Sequence, residues 1–296
     1  MARARLPRSA RPSGVPRSIS ASTGHAAADA TDPPAFIREA NGTEGQQVGP
    51  GTDSASAPLV ERRHVCAMRI VVETMTKKNL TVAEVDALSA RTIAHYDRSA
   101  QSFWEGTRDH DVSQNTAAFL GAIAASPPLK LLDFGCGPGR DLAYFRSLGH
   151  EAAGLDGSAR FVRMARAHAG CEVLHQDFLH LALARAHYDG VYANASLFHV
   201  PSQELPRVLG DLHTALKEGG VLFCSNPHGP DSEGFTAGRY GAFHTLETWR
   251  AFMTAARFVE IAHYFRPEGK PRSEQPWLAT LWRKVTRALT SSSHQD

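Results

Sequence analysis

The chain predicts an α/β fold: a seven-stranded, mainly parallel sheet with an antiparallel last strand and helices on both faces. Three observations lead there. From Lys130 onward, short apolar segments alternate with stretches at helical period, the pattern of strand-helix units that build a parallel sheet covered on both sides. The segment Leu131-Leu-Asp-Phe-Gly-Cys-Gly-Pro-Gly139 reads as a buried strand turning sharply into a helix that begins at Asp141. The last two strands are joined through Pro267, Gly269 and Pro271 with no helix between them. So short a link requires an antiparallel pair, because a parallel crossover needs roughly a dozen residues or more.

The elements follow in order. Val82, Val85, Leu88, Ile93 and Tyr96 recur at helical spacing toward Phe103 and Trp104, so a helix or helix pair precedes the first strand. A second helix runs from Asn115 to Ile123 and is stopped by Pro127 and Pro128. Strands are expected at Lys130 to Phe134, Glu151 to Leu155, Glu172 to His175, Gly190 to Ala193, Val221 to Ser225, Val259 to Tyr264 and Leu278 to Arg283. Helices fill gaps at Asp141 to Leu148, Ala159 to Ala167, Leu205 to Ala215 and Leu246 to Ala256. Nothing repeats internally.

Composition bounds the function. With 296 residues, 42% hydrophobic, the chain can bury one sizeable core. A formal charge of +2 and the lack of a basic patch interleaved with aromatics speak against nucleic acid as a partner. No run approaches the roughly 18 apolar residues that cross a bilayer. Cys66, Cys136, Cys171 and Cys224 show neither paired spacing nor a CxxC, which suits a reducing compartment and suggests no metal site.

Residues 1–65 are expected to be a disordered tail, rich in Arg, Ser, Ala, Pro and Gly and poor in large apolar residues. Arg3, Arg5, Arg8, Arg11 and Arg17 precede the first acid, Asp29, as in an organelle transit peptide, although Pro7, Pro12 and Pro16 oppose the amphipathic helix such peptides form. A start at Met68 or Met75 explains the same segment equally well. The expected layout is a tail, a single domain over 80–285 and a second tail over 286–296, in the cytoplasm, or in an organelle if the leader is real.

The glycine loop carries the chemistry. Glycines let a ligand approach main chain that any Cβ would block, and the next helix offers its N–H groups to negative charge. A dinucleotide fingerprint wants glycine at the first, third and sixth positions, but the sixth from Gly135 is Arg140. Asp156 ends the second strand, where a carboxylate can accept from both ribose hydroxyls; helix capping is the competing role, though Ser158 is the better cap. Asp177 closes the third strand and is otherwise a plain turn acid. Asn194 ends the fourth strand, facing the same cleft or capping the strand. The chain contains no GxSxG, HExxH or paired cysteines, so neither a catalytic triad nor a metal site is expected.

Gly135-x-Gly137-x-Gly139 with Asp133 two residues earlier resembles the cofactor loop of class I S-adenosylmethionine-dependent methyltransferases, whose sheet is Rossmann-like with a reversed last strand. The resemblance implies that Gly135, Cys136, Gly137 and Gly139 wrap the methionine part of the cofactor, with Asp133 near its ammonium. It further implies that Asp156 and Gly157 meet the ribose, that Asp177 accepts from the adenine amino group, and that Phe178 packs on the ring.

Three longer strings, Ser102-Phe-Trp-Glu-Gly-Thr-Arg-Asp-His-Asp-Val-Ser-Gln-Asn115, Asn194-Ala-Ser-Leu-Phe-His-Val-Pro201 and Gly238-Arg-Tyr-Gly241, resemble the methyltransferase domain at the carboxyl end of ovothiol (5-histidylcysteine sulfoxide) synthases. The likeness runs from about Ala90 to Lys284. It implies methylation of a ring nitrogen of a 5-thiohistidine, a small-molecule substrate supplied by a separate sulfoxide synthase. A non-catalytic cofactor-binding module serving that synthase is the alternative. Arg239 and Tyr240, on an expected mobile lid from Gly229 to Gly241, and His199 after the fourth strand are the candidates for substrate contact and catalysis. Arg108, His110 and Asp111 are further candidates for holding a zwitterionic substrate. Tyr96 and Trp104 either shield the cofactor or belong to the core.

Overall fold

The computed structural model describes residues 80–285; the expected tails, with Cys66, lie outside the described residues. Helix α1 spans Val82–Thr107 as one unbroken helix rather than a pair. Its start is fixed by a capping box in which Thr81 accepts from the Glu84 N–H while Glu84 accepts from the Thr81 N–H at 2.8 Å. Helix α2 follows at Ser113–Ala122.

The alternating part begins with β1 (Lys130–Phe134), α3 (Arg140–Ser147), β2 (Glu151–Asp156), α4 (Ala159–Ala169), β3 (Val173–His175) and β4 (Tyr188–Asn194). It continues with α5 (Leu205–Ala215), β5 (Leu216–Pro227), a hairpin of β6 (Ser232–Thr236) and β7 (Arg239–Phe243), α6 (Leu246–Ala255), β8 (Phe258–Arg266) and β9 (Trp277–Lys284). Seven strands form one sheet in the order β3-β2-β1-β4-β5-β9-β8. All neighbours are parallel except β9, which is antiparallel to both β5 and β8. The reversed last strand is therefore present, and the order changes direction between β1 and β4, where open α/β sheets hold their ligands.

Alternation along the strands assigns the two faces. In β1, Leu132 and Phe134 join the core under α5 and α6 with Trp249 and Phe252, while Leu131 packs with Phe119 of α2 and Leu142 and Phe145 of α3. In β4, Val191 and Ala193 take the first face and Tyr192 the second. Gly190 lets α2 close in, since a Cβ there would lie 2.6 Å from the Phe119 ring.

The segment expected as a mobile lid contains two strands that the sequence did not predict. Residues 232–243 form an ordered antiparallel hairpin with register Ser232↔Phe243 to Thr236↔Arg239, turned by Ala237 and Gly238, both at positive φ. Its glycines mark a tight turn and close packing. Gly241, with a virtual Cβ 2.8 Å from the Phe243 ring, is an example.

Candidate cofactor and acceptor site

A cleft of about 660 Å³, counting its open mouth, lies over the carboxyl ends of β1, β2 and β4. Gly135 and Gly137, Asp156 and Gly157, and Asp177 and Phe178 line one side of it. Ser89, Thr92, Ile93, Tyr96 and Phe103 of α1 line the other, with Ser196 and His199 from the turn after β4.

The glycine loop is held from behind. The Gly135 and Cys136 N–H groups both donate to the Leu155 carbonyl of β2, at 2.8 and 3.0 Å, and the Ser196 hydroxyl donates to the Phe134 carbonyl at 2.7 Å. Gly135, Gly137 and Gly139 all have positive φ. Their surroundings differ: a Cβ on Gly135 would lie 2.4 Å from the Ser196 side chain and one on Gly139 would lie 2.9 Å from Ala165 of α4, whereas Gly137 meets only Phe103 at 3.7 Å. Gly139 thus serves helix packing, and Gly135 and Gly137 present main chain to the cleft. Cys136 faces inward, in the core with Leu142 and Val173, and burial pushes its thiol well above the usual range.

Asp156 joins loop and second strand. One carboxylate oxygen accepts the Gly137 N–H at 2.9 Å and the other the Ser158 N–H at 2.8 Å. One lone pair remains on each oxygen, the number two vicinal hydroxyls require. Burial raises its pKa to about 6, against the opposing pull of the two N–H groups. Ser158 caps α4 by accepting the Phe161 N–H at 3.1 Å, leaving Asp156 free of that duty. Asp177 accepts the Ser89 hydroxyl at 2.8 Å and the Leu179 N–H at 2.9 Å, both on Oδ1. Phe178 is stacked on Phe134 with ring centroids 4.4 Å apart, which sets its orientation beside the cleft.

Four expected cofactor residues are not among the groups lining the cleft: Cys136 and Gly139, which pack inward, and Asp133 and Asn194. Asp133 is buried beneath α3; burial, and then the Asp141 carboxylate, hold its pKa well above the carboxylate range. Its Oδ2 is a buried oxygen with no hydrogen-bond partner among the described residues. Asn194 turns the other way, donating to Asp141 at 3.2 Å and accepting from Asn115 at 3.1 Å. Asn194 belongs to a polar chain that sequence reading missed. Tyr264 donates to Asn115 at 2.9 Å, and Arg140 grips Asp141 through two bonds of 2.7 and 3.0 Å while donating to the Thr107 carbonyl at 2.8 Å.

On the acceptor side, His199 lies between two partners: its Nδ1 meets the Tyr240 carbonyl, and its Nε2 lies 2.8 Å from the Tyr96 hydroxyl. Burial lowers its pKa to about 4, so the ring is neutral at neutral pH. Arg239 reaches the Tyr96 hydroxyl at 3.4 Å, with its guanidinium carbon 5.6 Å from that ring's centre. Tyr240 serves the site through its main chain; its ring packs against Phe235 and its hydroxyl against Glu233, outside the cleft lining. Tyr96 is a wall of the cleft, while Trp104 packs on His168 and does not line it. Nor do Arg108, His110 and Asp111 reach it. Arg108 pairs with Asp109 at 3.2 Å, and Asp111 accepts the Ser113 N–H at 2.9 Å where α2 begins.

The donor set fits a purine nucleoside with a charged tail: bare main chain, a carboxylate with two open lone pairs, then an acid and an aromatic ring at the next strand end. Residues 131–220 match the model of the methyltransferase domain family. That match covers 90 of the chain's 296 residues, and over them the chain is similar to methyltransferase domains.

Among curated relatives, malonyl-[acyl-carrier protein] O-methyltransferase of Pectobacterium atrosepticum is 36% identical over 104 residues, which are 35% of this chain and 40% of that protein. The 24-methylenesterol C-methyltransferase 2 of Oryza sativa subsp. japonica is 34% identical over 129 residues, covering 41% and 34% of the two chains. The match thus spans less than half the length of either relative. Among solved structures, the 1,6-didemethyltoxoflavin-N1-methyltransferase of Burkholderia thailandensis, with bound 1,6-didemethyltoxoflavin and S-adenosylhomocysteine, superposes with a TM-score of 0.57 at 21% identity. That match covers 71% of this chain and 93% of the other, and shows a shared fold.

Proposed function

We propose that this chain transfers the methyl group of S-adenosylmethionine to a ring nitrogen of a small molecule, an imidazole of the 5-thiohistidine type. The observation that carries methyl transfer is the convergence of the Gly135–Gly137 main chain, Asp156 and Asp177 on one cleft whose far wall is built from α1 and His199. With α1 as that wall, the cleft takes a small acceptor more readily than a polymer. The three proteins, named as O-, C- and N1-methyltransferases, act at different atoms, so the acceptor proposed here is read from this chain's own walls and from the resemblance of its three longer strings to ovothiol synthases.

When bound, the cofactor supplies an electrophilic methyl on a sulfonium, so the protein has mainly to align an incoming nucleophile and exclude water. A neutral imidazole, with pKa near ~6.5, already presents one unprotonated nitrogen at neutral pH. Orientation therefore matters more than a strong base, consistent with the neutral His199. The test is twofold. Isothermal titration should show binding of S-adenosylmethionine and S-adenosylhomocysteine, and turnover with 5-thiohistidine should release S-adenosylhomocysteine. Cofactor binding without turnover across histidine, thiolhistidine and related thiols would leave only a cofactor-binding module, and no binding at all would end the reading.

A further inference from the structure

The hydrogen-bond sense around His199 can be settled by elimination. The Tyr240 carbonyl can only accept, so the Nδ1 that faces it carries the proton. In a neutral ring the other nitrogen is then an acceptor, and the Tyr96 hydroxyl, 2.8 Å away, must donate to Nε2. The opposite tautomer would set two lone pairs against each other at the Tyr240 carbonyl. A doubly protonated ring is opposed by the enclosing walls and by Arg239 and His95, the nearby groups of like sign.

The Tyr96 proton is therefore committed, and the oxygen keeps two lone pairs. Arg239 approaches one from 3.4 Å. The other remains for whatever enters the cleft, because Tyr96 is one of its lining residues. The ring has little freedom to swing away: it packs edge-on against Phe103 and His199 and tilted against Phe161, with centroids 5.4 to 5.6 Å apart.

We infer that Tyr96 is the acceptor-selecting residue of this site: its hydroxyl, locked as a hydrogen-bond acceptor by His199, receives an N–H of the substrate and rejects a carboxylate at that place. The substrate class is a neutral nitrogen heterocycle with one ring N–H and one unprotonated ring nitrogen. The N–H is held by Tyr96 while the other nitrogen is left as nucleophile. A carboxylate would bring its lone pairs against those of Tyr96, so it would have to leave that oxygen and turn to Arg239, 3.4 Å from it, for a donor. His199 is a positioning residue, since it acts through Tyr96. The inference rests on the methyl-transfer reading and deepens it.

The experiment measures binding and turnover separately on the full chain. The probes are 5-thiohistidine, its ring-N-methylated derivative without a ring N–H, and a malonyl thioester, each titrated with S-adenosylhomocysteine present and assayed with S-adenosylmethionine. Wild-type protein should prefer 5-thiohistidine to both other probes by roughly tenfold or more, the worth of one well-placed hydrogen bond. Tyr96→Phe should abolish that preference while S-adenosylhomocysteine affinity stays within about twofold, which also shows that the variant folds. His199→Gln, whose amide can accept from Tyr96 and donate to the Tyr240 carbonyl, should retain most of the preference; His199→Leu, which frees the hydroxyl to rotate, should lose it. An unchanged preference in Tyr96→Phe, or a wild-type preference for the malonyl thioester, would overturn the assignment with methyl transfer intact. Failure of wild type to bind S-adenosylhomocysteine would instead remove the methyl-transfer reading itself.

Discussion

The Asp156 carboxylate accepts the Gly137 N–H at 2.9 Å, so one side chain ties the end of β2 to the glycine loop after β1. The same carboxylate lines the cleft. Loop shape and ribose recognition are thereby one device, and a change at Asp156 should disturb both. Asp156→Ala is expected to lower S-adenosylhomocysteine affinity by roughly a hundredfold, the loss of about two charge-assisted hydrogen bonds. Titration calorimetry checks this, and affinity within threefold of wild type would exclude the ribose role.

Protonation gives that role a pH signature. With a pKa near 6, Asp156 is a carboxylate above that value and a neutral acid below it. Hydroxyl donors prefer the carboxylate, so cofactor affinity should be level above pH 7 and fall as the pH drops through 6 toward 5. Asp156→Asn should flatten the profile. A wild-type profile that rises on acidification would contradict the assignment.

His199 predicts a stability effect with its own sign. Its folded pKa, about 4, lies below the unfolded value of 6.5. Between those values the unfolded chain holds a proton that the folded chain does not, so the contribution is complete above pH 6.5 and is lost as the pH falls toward 4. Urea unfolding at pH 7.5 and 5.0 should therefore show a larger drop for wild type than for His199→Gln. Equal drops would mean that the ring titrates normally.

Two glycines should respond oppositely to the same substitution. Gly135→Ala puts a Cβ 2.4 Å from Ser196 at a φ of +76° and should cost about 3 kcal/mol. Gly121→Ala, within α2 and with nothing within 4 Å, should be neutral or stabilise by up to ~1 kcal/mol. Denaturant midpoints distinguish the two, and a silent Gly135→Ala would mean that the loop adjusts freely.

The buried clasp at the start of α3 should behave as a unit. Arg140→Gln leaves Asp141 and the Thr107 carbonyl short of partners and should cost about 3 kcal/mol. Asp141→Asn in the same background should then cost much less than alone, as a double-mutant cycle would show. Simple additivity would mean that the bonds at Arg140 contribute independently.

Much of the fold was legible because its periods are strong. β1 and α5 fall on the residues that spacing predicts, and the other strands of the sheet differ only at their ends. β5 begins earlier than expected, at Leu216, because this buried residue pairs with Tyr188 across a register irregularity that separates it from the apolar run starting at Val221. The hairpin escaped detection since its short, glycine-containing strands carry little alternation, and a turn at Ala237 requires a positive φ that alanine does not announce.

By itself the sequence determined the sheet with its reversed strand, the glycine loop and the acids at the ends of β2 and β3, since each depends on residues close together along the chain. Tertiary structure decided which way side chains turn. It buried Asp133, drew Asn194 into a hydrogen-bonded network and Tyr240 into a main-chain role, and it brought Tyr96 against His199, 103 residues away. The physical reason is that hydrogen-bond sense and burial belong to the packed surroundings of a group, and no local pattern encodes the partner that a fold brings from a distance.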